Sequence, residues 1–323
     1  MGRGNTEIVE VFRAKPVAQN SILTLSSDFP LGGGWTRLII RLNHAVTIGT
    51  GTGAITEGEL AITKSISFRT DKGERIYNNV PGRALYRLNE IKNRAPGVKS
   101  AIAAASATYT TQFELHFADP QSLRPYDTIL DTSRYRSVEL AVQIGGVADF
   151  FSTVGTSSNV TTMDCYVERV SGALPDGAKP LFFNEVSVVA PVNPANATVI
   201  DLERASNLAL KRVLISTNNS ATSGVPFSGT ATANVVSEFS LETSEGIPFR
   251  NLPVGVINSD NRTEYGHFTV VTGQYILDLV KDGSNRSALP TGDLSRLQVK
   301  WVNDTLSTSQ VSLITEGLRE LVA

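Results

Sequence analysis

The chain is expected to be all-β: two tandem eight-stranded β-sandwiches with short helices. Three observations predict this. Short runs rich in Val, Ile, Thr, Phe and Tyr alternate with clusters of Gly, Asn, Asp, Ser and Pro along most of its 323 residues. Several of these runs alternate apolar and polar residues with a period of two. The two halves also resemble each other in sequence.

In the first half, strands are expected near 21–26, 35–44, 58–69, 73–78, 108–118, 125–131, 136–144 and 159–170. RSVELAVQI (136–144) places Val138, Leu140, Val142 and Ile144 on one face, and TYTTQFELHF (108–117) does the same with Phe113, Leu115 and Phe117. Such a pattern marks a half-buried antiparallel strand. A helix is predicted after Pro81, where Ala84, Leu85, Leu88 and Ile91 recur at helical spacing before Pro96. Weaker helical spacing occurs at Ile8, Val11 and Phe12, so residues 1–20 read as an N-terminal arm or short helix. Leu313 to Leu321 suggests a helix at the other end. In the second half, strands are expected near 181–190, 197–202, 209–216, 235–242, 247–250, 267–280, 295–302 and 309–315. The turn-forming segment SGALPDGAKP (171–180) is the boundary candidate. It divides a first sandwich at 21–172 from a second at 180–323.

The duplication is carried by three blocks in the same order. TRLII at 36–40 matches KRVLI at 211–215, an offset of 175 (37 to 212). TDKGERIYNNVP (70–81) matches TSEGIPFRNLP (243–253), with an offset of 173 at the glycines and 172 at the prolines. The first copy has one extra residue, Asn79. QFELHFADP (112–120) matches QYILDLVKDG (274–283), an offset of 162. The drop of ten falls where the first half has its helix, so a shorter connection is expected there in the second half. A period this long means two similar domains rather than a solenoid. Gly73 and Gly246 are expected to take positive φ in matching hairpin turns, and Pro81 and Pro253 to close the strands that follow. If the strands simply alternate direction, the loop 45–57 and connection 79–107 share one end of the sandwich with the N-terminus. The turns 70–73 and 119–124 and the loop 145–158 then share the other.

Composition narrows function. Lys and Arg number 29 against 31 Asp and Glu, a net charge of −2, with no like-charge block to serve nucleic acid. No run approaches the ~18 apolar residues of a membrane span. The N-terminus lacks the apolar stretch of a secretory signal, which points to folding in a reducing cytoplasm. Gly2 and Thr6 fit a myristoylation pattern, and six Asn-x-Ser/Thr sequons occur, but patterns this short arise by chance in a Ser/Thr-rich chain. The single Cys165 excludes an intrachain disulfide, and His44, His116 and His267 lie far apart. GTGTG (49–53) lacks the strand-to-helix context of a phosphate loop. No catalytic, cofactor-binding or metal-binding residue is assigned, and no enzyme activity is expected. Trp35, Phe117, Phe182, Phe183 and Trp301 read as core. Phe150 and Phe151, adjacent in GGVADFFSTVG, read either as a contact surface or as packing over the end of the sandwich.

Two eight-stranded β-domains without an enzyme motif resemble the double jelly-roll major capsid proteins of tailless, membrane-containing icosahedral bacteriophages and of adenovirus-like viruses. WTRLIIRLN (35–43), a Gly/Thr loop and ELAITKSISFRTDKGERIYNNVPGRALYRLNE (59–90) are similar to the N-terminal halves of such coat proteins. The resemblance covers roughly residues 20–320 and rests on pattern rather than a diagnostic motif. It implies a homotrimer of pseudo-hexameric outline, a capsid made of neighbouring trimers, and partners such as penton and minor membrane proteins. It implies a virion location after synthesis in the host cytoplasm, and an inner lipid membrane that the N-terminal segment could contact. Alternatives are a phage spike or fibre, a tandem carbohydrate-binding protein, and a two-sandwich peptide N-glycosidase. The last is disfavoured because those enzymes are disulfide-bonded.

Overall fold

The computed structural model describes residues 5–49, 54, 57–93, 95–103, 105–151, 155–171, 174, 181–189, 197–218, 236–246, 249–265, 274–303 and 310–319. Two compact units divide the chain, the first running to Asn184 and the second from Glu185 to Glu320. Most of the expected boundary segment, 172–180, lies outside the described residues, as does His267.

The first unit contains β1 (Asn5–Val17), β2 (Ser21–Leu25), β3 (Gly34–Thr47), β4 (Thr63–Thr70), β5 (Arg75–Val80), β6 (Ala107–His116), β7 (Leu130–Asp131), β8 (Val138–Ile144) and β9 (Ser158–Ser171). Helix α1 (Gly58–Ala61) precedes β4, and α2 (Gly82–Asn93) lies between β5 and β6. One sheet has the order β1-β9-β3-β6, and the facing sheet β5-β4-β8-β2. The second unit contains β10 (Leu181–Val189, its first residues still in the first unit), β11 (Ala197–Asp201), β12 (Leu208–Asn218), β13 (Val236–Thr243), β14 (Phe249–Pro253), α3 (Val254–Tyr265), β15 (Gln274–Asp278), β16 (Leu289–Pro290), β17 (Leu297–Asn303) and β18 (Gln310–Arg319). Its sheets read β10-β18-β12-β15 and β11-β17-β13-β14.

With the two-residue β7 and β16 set aside, each unit has eight strands among the described residues. In both, one sheet orders them 1-8-3-6 and the other 2-7-4-5, the arrangement of a jelly roll. The short strands also correspond, since β7 pairs with the start of β3 and β16 with the start of β12.

The cores follow from the alternation seen in sequence. In β8, Val138, Leu140, Val142 and Ile144 are all buried. Trp35 on β3 meets Phe68 on β4 and Phe117 just after β6, both at 6.1 Å, and Phe68 and Phe117 lie 5.0 Å apart. These rings join the two sheets. In the second unit, Phe239 meets Tyr275 at 5.4 Å within a cluster that includes Trp301, Leu277, Leu297 and Leu313.

Several expectations are corrected. Residues 5–17 are strand, not arm or short helix, in register with β9 from Asn5↔Ser171 to Val17↔Thr161. The spacing of Ile8, Val11 and Phe12 suits a helix, but β-branched Ile8, Val9 and Val11 suit a strand and β9 offers a partner. The C-terminal helix is also replaced by strand: β18 pairs with β12 along its length, burying Leu313 and Ile314. Segment 125–131 is a 3-10 turn (Pro125–Thr128) followed by only two strand residues. It therefore does not cross the sandwich, and the count of alternating directions slips by one. Loop 145–158 consequently packs with 45–57, not opposite it: Ala54 bridges Phe151, and Gly49 N–H donates to Ser157 Oγ at 2.9 Å.

The second unit has its helix as well. α3 matches α2 in length and position, with Pro253 before it as Pro81 is before α2. The ten-residue difference falls after the helix: 18 residues lie between Asn93 and Gln112, against eight between Tyr265 and Gln274. The extra Asn79 is absorbed in β5 at φ 53°, and Ser67 Oγ both donates to its side-chain oxygen and accepts from its N–H. This is a bulge that leaves Pro81 in step with Pro253.

The matching glycines differ in conformation. Gly73 has φ 81°, but Gly246 is not among the positive-φ residues. In the second turn, Thr243 Oγ1 instead accepts from the N–H groups of Glu245 and Gly246. Neither site has atoms that would crowd a Cβ. Gly73→Ala is therefore expected to cost about 1 kcal/mol through backbone strain. Gly246→Ala should stay within about 0.5 kcal/mol of the parent. Thermal denaturation of the two variants checks the difference.

Candidate functional site

The residues that sequence reasoning considered for chemistry are mostly interior. Cys165 is fully buried, and burial pushes its thiol well above the ordinary range. Phe150 and Phe151 are 0% and 1% exposed. Phe150 packs edge-on against His44 at 5.3 Å and lies 6.0 Å from Phe151. They close the end of the first sandwich, which removes the contact-surface reading. The sequon residue Asn159 is also buried, its amide donating to Thr161 Oγ1 at 2.9 Å. Among the described residues, no group of three or more His, Cys, Asp and Glu side chains is placed to hold a metal ion. No helix there is long and apolar enough to cross a membrane.

His44, on β3, is fully buried, with Nδ1 2.9 Å from Thr161 Oγ1. Burial lowers its pKa to about 4. Burial likewise lowers His116, with the Lys92 charge acting in the same direction. A neutral buried imidazole refuses a proton that the unfolded chain accepts below about pH 6.5. The stability it contributes is therefore full above about pH 6.5 and is lost progressively as pH falls toward 4. The loss at His44 is on the order of 3 kcal/mol at about 1.36 kcal/mol per unit. His44→Asn should flatten this acid slope in denaturation midpoints measured from pH 7 to pH 4.

The most developed polar geometry is a node found in both units. In each, the third strand carries an Arg just after a register shift, between Trp35 and Arg37 or between Leu210 and Arg212. Arg37 Nε meets Glu168 on β9 and its Nη1 meets Glu114 on β6, both at 2.8 Å. Arg212 Nε meets Asp278 on β15 at 2.9 Å, and its Nη1 meets Glu316 on β18 at 3.2 Å. The same helix position supplies a clamp. Asn89 on α2 donates to Glu114 O at 2.7 Å and accepts from Glu114 N at 2.8 Å. Asn261 on α3, with its amide oriented to suit its neighbours, bonds both backbone groups of Ile276 at 3.1 and 3.0 Å.

The turn before the seventh strand repeats too. Thr132 N–H donates to Gly33 O, and Thr291 N–H to Leu208 O, each at 2.9 Å. Tyr135 N–H then bonds Thr132 O as Leu294 N–H bonds Thr291 O, both at 3.3 Å. ILDTSRYRSV (129–138) and ALPTGDLSRL (288–297) are thus a fourth repeated block, at an offset of 159 (132 to 291). The shared Leu and Thr of that block are its sequence signal.

The nodes differ in surroundings. The Arg212 side chain is 4% exposed and its two carboxylates 2% each, while Arg37 is 28% exposed. Tyr265, at the end of α3, donates its hydroxyl to Asp278, and burial raises its pKa. A second charged cluster fixes α2: Arg87 pairs with Glu57 and, at 2.6 Å, with Glu90, while Lys99 reaches Glu59 at 2.8 Å. Burial lowers Arg83 in this cluster to about 10. These groups pair with each other and hold strands and helices in place, so their chemistry is structural.

Several strands present open sheet edges. β1, β2, β6, β11, β14 and β15 each end a sheet. Of these, β1 has 13 residues and β6 ten, but residues 98–100 cover the outer edge of β6 through a bridge at Lys99, and the others have five each. Ile8 on β1 is 58% exposed.

No protein-family model matches the chain, and no curated protein does. Solved structures do. The major capsid protein of bacteriophage PM2 superposes with a TM-score of 0.66 at 12% identity, covering 98% of both chains. The major capsid protein of Sulfolobus Turreted Icosahedral Virus gives 0.68 at 15% identity, covering 98% of this chain and 97% of that one. The capsid of the virus PBCV-1 gives 0.62 at 13% identity, with 98% and 95% covered. At these identities the likeness is one of fold: the chain has the double jelly-roll fold of these major capsid proteins.

Proposed function

We propose that the chain is a major capsid protein that forms homotrimers, which tile an icosahedral shell as pseudo-hexamers. The observation that carries this is the pair of jelly rolls of identical strand order in one chain. Three copies around a threefold axis supply six similar lobes, an outline that packs in hexagonal arrays. The likeness to capsid proteins over nearly the whole length of both partners supports the reading. So does the composition, since a net charge of −2 keeps repulsion among many packed copies low.

A ring of this kind uses heterologous contacts that close, and an obligate interface buries several thousand Å², on the order of 2,000–5,000. The reading involves no catalysis and no bound cofactor. It places the protein in the virion, with neighbouring trimers, penton and minor membrane proteins as partners and an inner lipid membrane beneath the shell. Residues 5–17 belong to β1, so any contact of this segment with that membrane would be made by a strand rather than a helix.

Negative-stain microscopy of the purified protein tests the proposal. Six-lobed particles with threefold symmetry are expected, and single two-lobed particles at high concentration would refute it. Lipid analysis of purified virus particles checks the membrane separately.

A further inference from the structure

We infer that the start of β1, Asn5–Glu10, pairs in parallel with the outer edge of β14 in a neighbouring copy of the chain. This rests on the homotrimer reading and names the strands that would join its copies.

The template is a contact inside the first unit. Phe183 and Asn184, the first residues of β10 to pair, run parallel to Tyr77 and Asn78 on the outer edge of β5. β10 is the opening strand of a jelly roll, and β5 is the fifth strand of one. The duplication gives each a counterpart. β1 is the other opening strand, and β14 is the other fifth strand, with Arg250 and Asn251 in the places of Tyr77 and Asn78. Among the described residues, β1 pairs only with β9 and β14 only with β13, so the equivalent outer edges both end their sheets.

β1 itself shows which part is available. A long exposed edge invites pairing, and proteins blunt such edges with bulges, charges and proline. The second half of β1 is blunted in this way. Its register shifts between Glu10 and Phe12 and again between Phe12 and Lys15, Ala14 has φ 51°, and Arg13, Lys15 and Pro16 follow. The first half has neither a register shift nor a proline, and its two charged residues, Glu7 and Glu10, pair with Arg169 and Arg13 of the same chain. Asn5 to Glu10 pair residue by residue with Ser171 to Tyr166. That regular half carries the exposed Ile8, and it lies at the same end of its strand as Phe183 and Asn184 lie in β10. Backbone groups on the open edge would supply affinity and Ile8 would gain burial.

Among the described residues β1 and β14 of one chain are not paired with each other, and a second copy supplies the matching edge: β1 of each chain meets β14 of the next, and three such heterologous contacts close a ring.

Disulfide trapping tests this. Adjacent strands lie about 4.8 Å apart, within the ~4.4–6.8 Å between Cα atoms that a disulfide spans. Cysteines are placed singly at Thr6, Glu7, Ile8, Val9 and Glu10, each combined with Asn251→Cys, and the proteins are mildly oxidised. Cys165 is buried and adds no background. One position, near Ile8, is expected to trap most of the protein as a covalent trimer on non-reducing gels. A mixture of Ile8→Cys chains with Asn251→Cys chains should give dimers only. Arg250→Cys replaces Asn251→Cys if that variant is not folded by circular dichroism. Native mass spectrometry is run on each sample. A trimer that no pair cross-links overturns the β1–β14 contact while leaving the homotrimer intact, and a monomer overturns both.

Discussion

Arg212→Leu is expected to be the most damaging single substitution in the second unit, costing about 3–5 kcal/mol. Asp278 and Glu316 would both be left buried without the guanidinium that now lies 2.9 and 3.2 Å away. Water cannot compensate, because both carboxylate side chains are 2% exposed. A domain stable by about 5–15 kcal/mol would lose a large share of its margin. The matching Arg37→Leu should cost less, about 1–2 kcal/mol, because Arg37 is 28% and Glu168 21% exposed, so solvent reaches this node and partly screens the charges left behind. Each unit contains one of the two tryptophans, so urea denaturation can be followed in either. Trp301 fluorescence in a Trp35→Phe background reads the second unit. Equal losses at the two arginines would show that burial does not set the cost.

Trp35→Ala should cost a similar amount in the first unit, about 3–5 kcal/mol. Its ring is fully buried and touches Phe29 at 5.8 Å as well as Phe68 and Phe117, so its loss opens a cavity between the two sheets. Its Nε1 also donates to Pro30 O at 3.3 Å. Trp35→Phe keeps most of the packing and loses that bond, so about 1–2 kcal/mol is expected. The denaturation midpoint of the first unit, followed by circular dichroism, separates the two variants.

Much of this was legible in the sequence because jelly-roll strands bury one face. The alternation in β8 and β6 and the shared Thr, Gly, Asn and Pro of the repeated turn located elements in both units. Errors came where local pattern and partner disagree. β1 has apolar residues at helical spacing, but hydrogen bonding to β9 decides its form. α3, VGVINSDNRTEY, has too few apolar residues to announce a helix; Asn261 and Tyr265 anchor it to β15 through polar bonds that periodicity does not register. The turn at 125–128 looked like strand because Tyr126, Ile129 and Leu130 are β-formers, and that one miscount reversed the placement of the loop 145–158. The repeated Arg was visible as TRLII against KRVLI. Its carboxylate partners were not, because they lie on strands that meet it only in the folded sheet.

Two jelly rolls in one chain are proposed to give a six-lobed trimer. Native mass spectrometry of the purified protein tests it most directly. A single dominant species at three times the 34.7 kDa chain mass, persisting on dilution, is the predicted result. A species at one chain mass across the whole concentration range would contradict it.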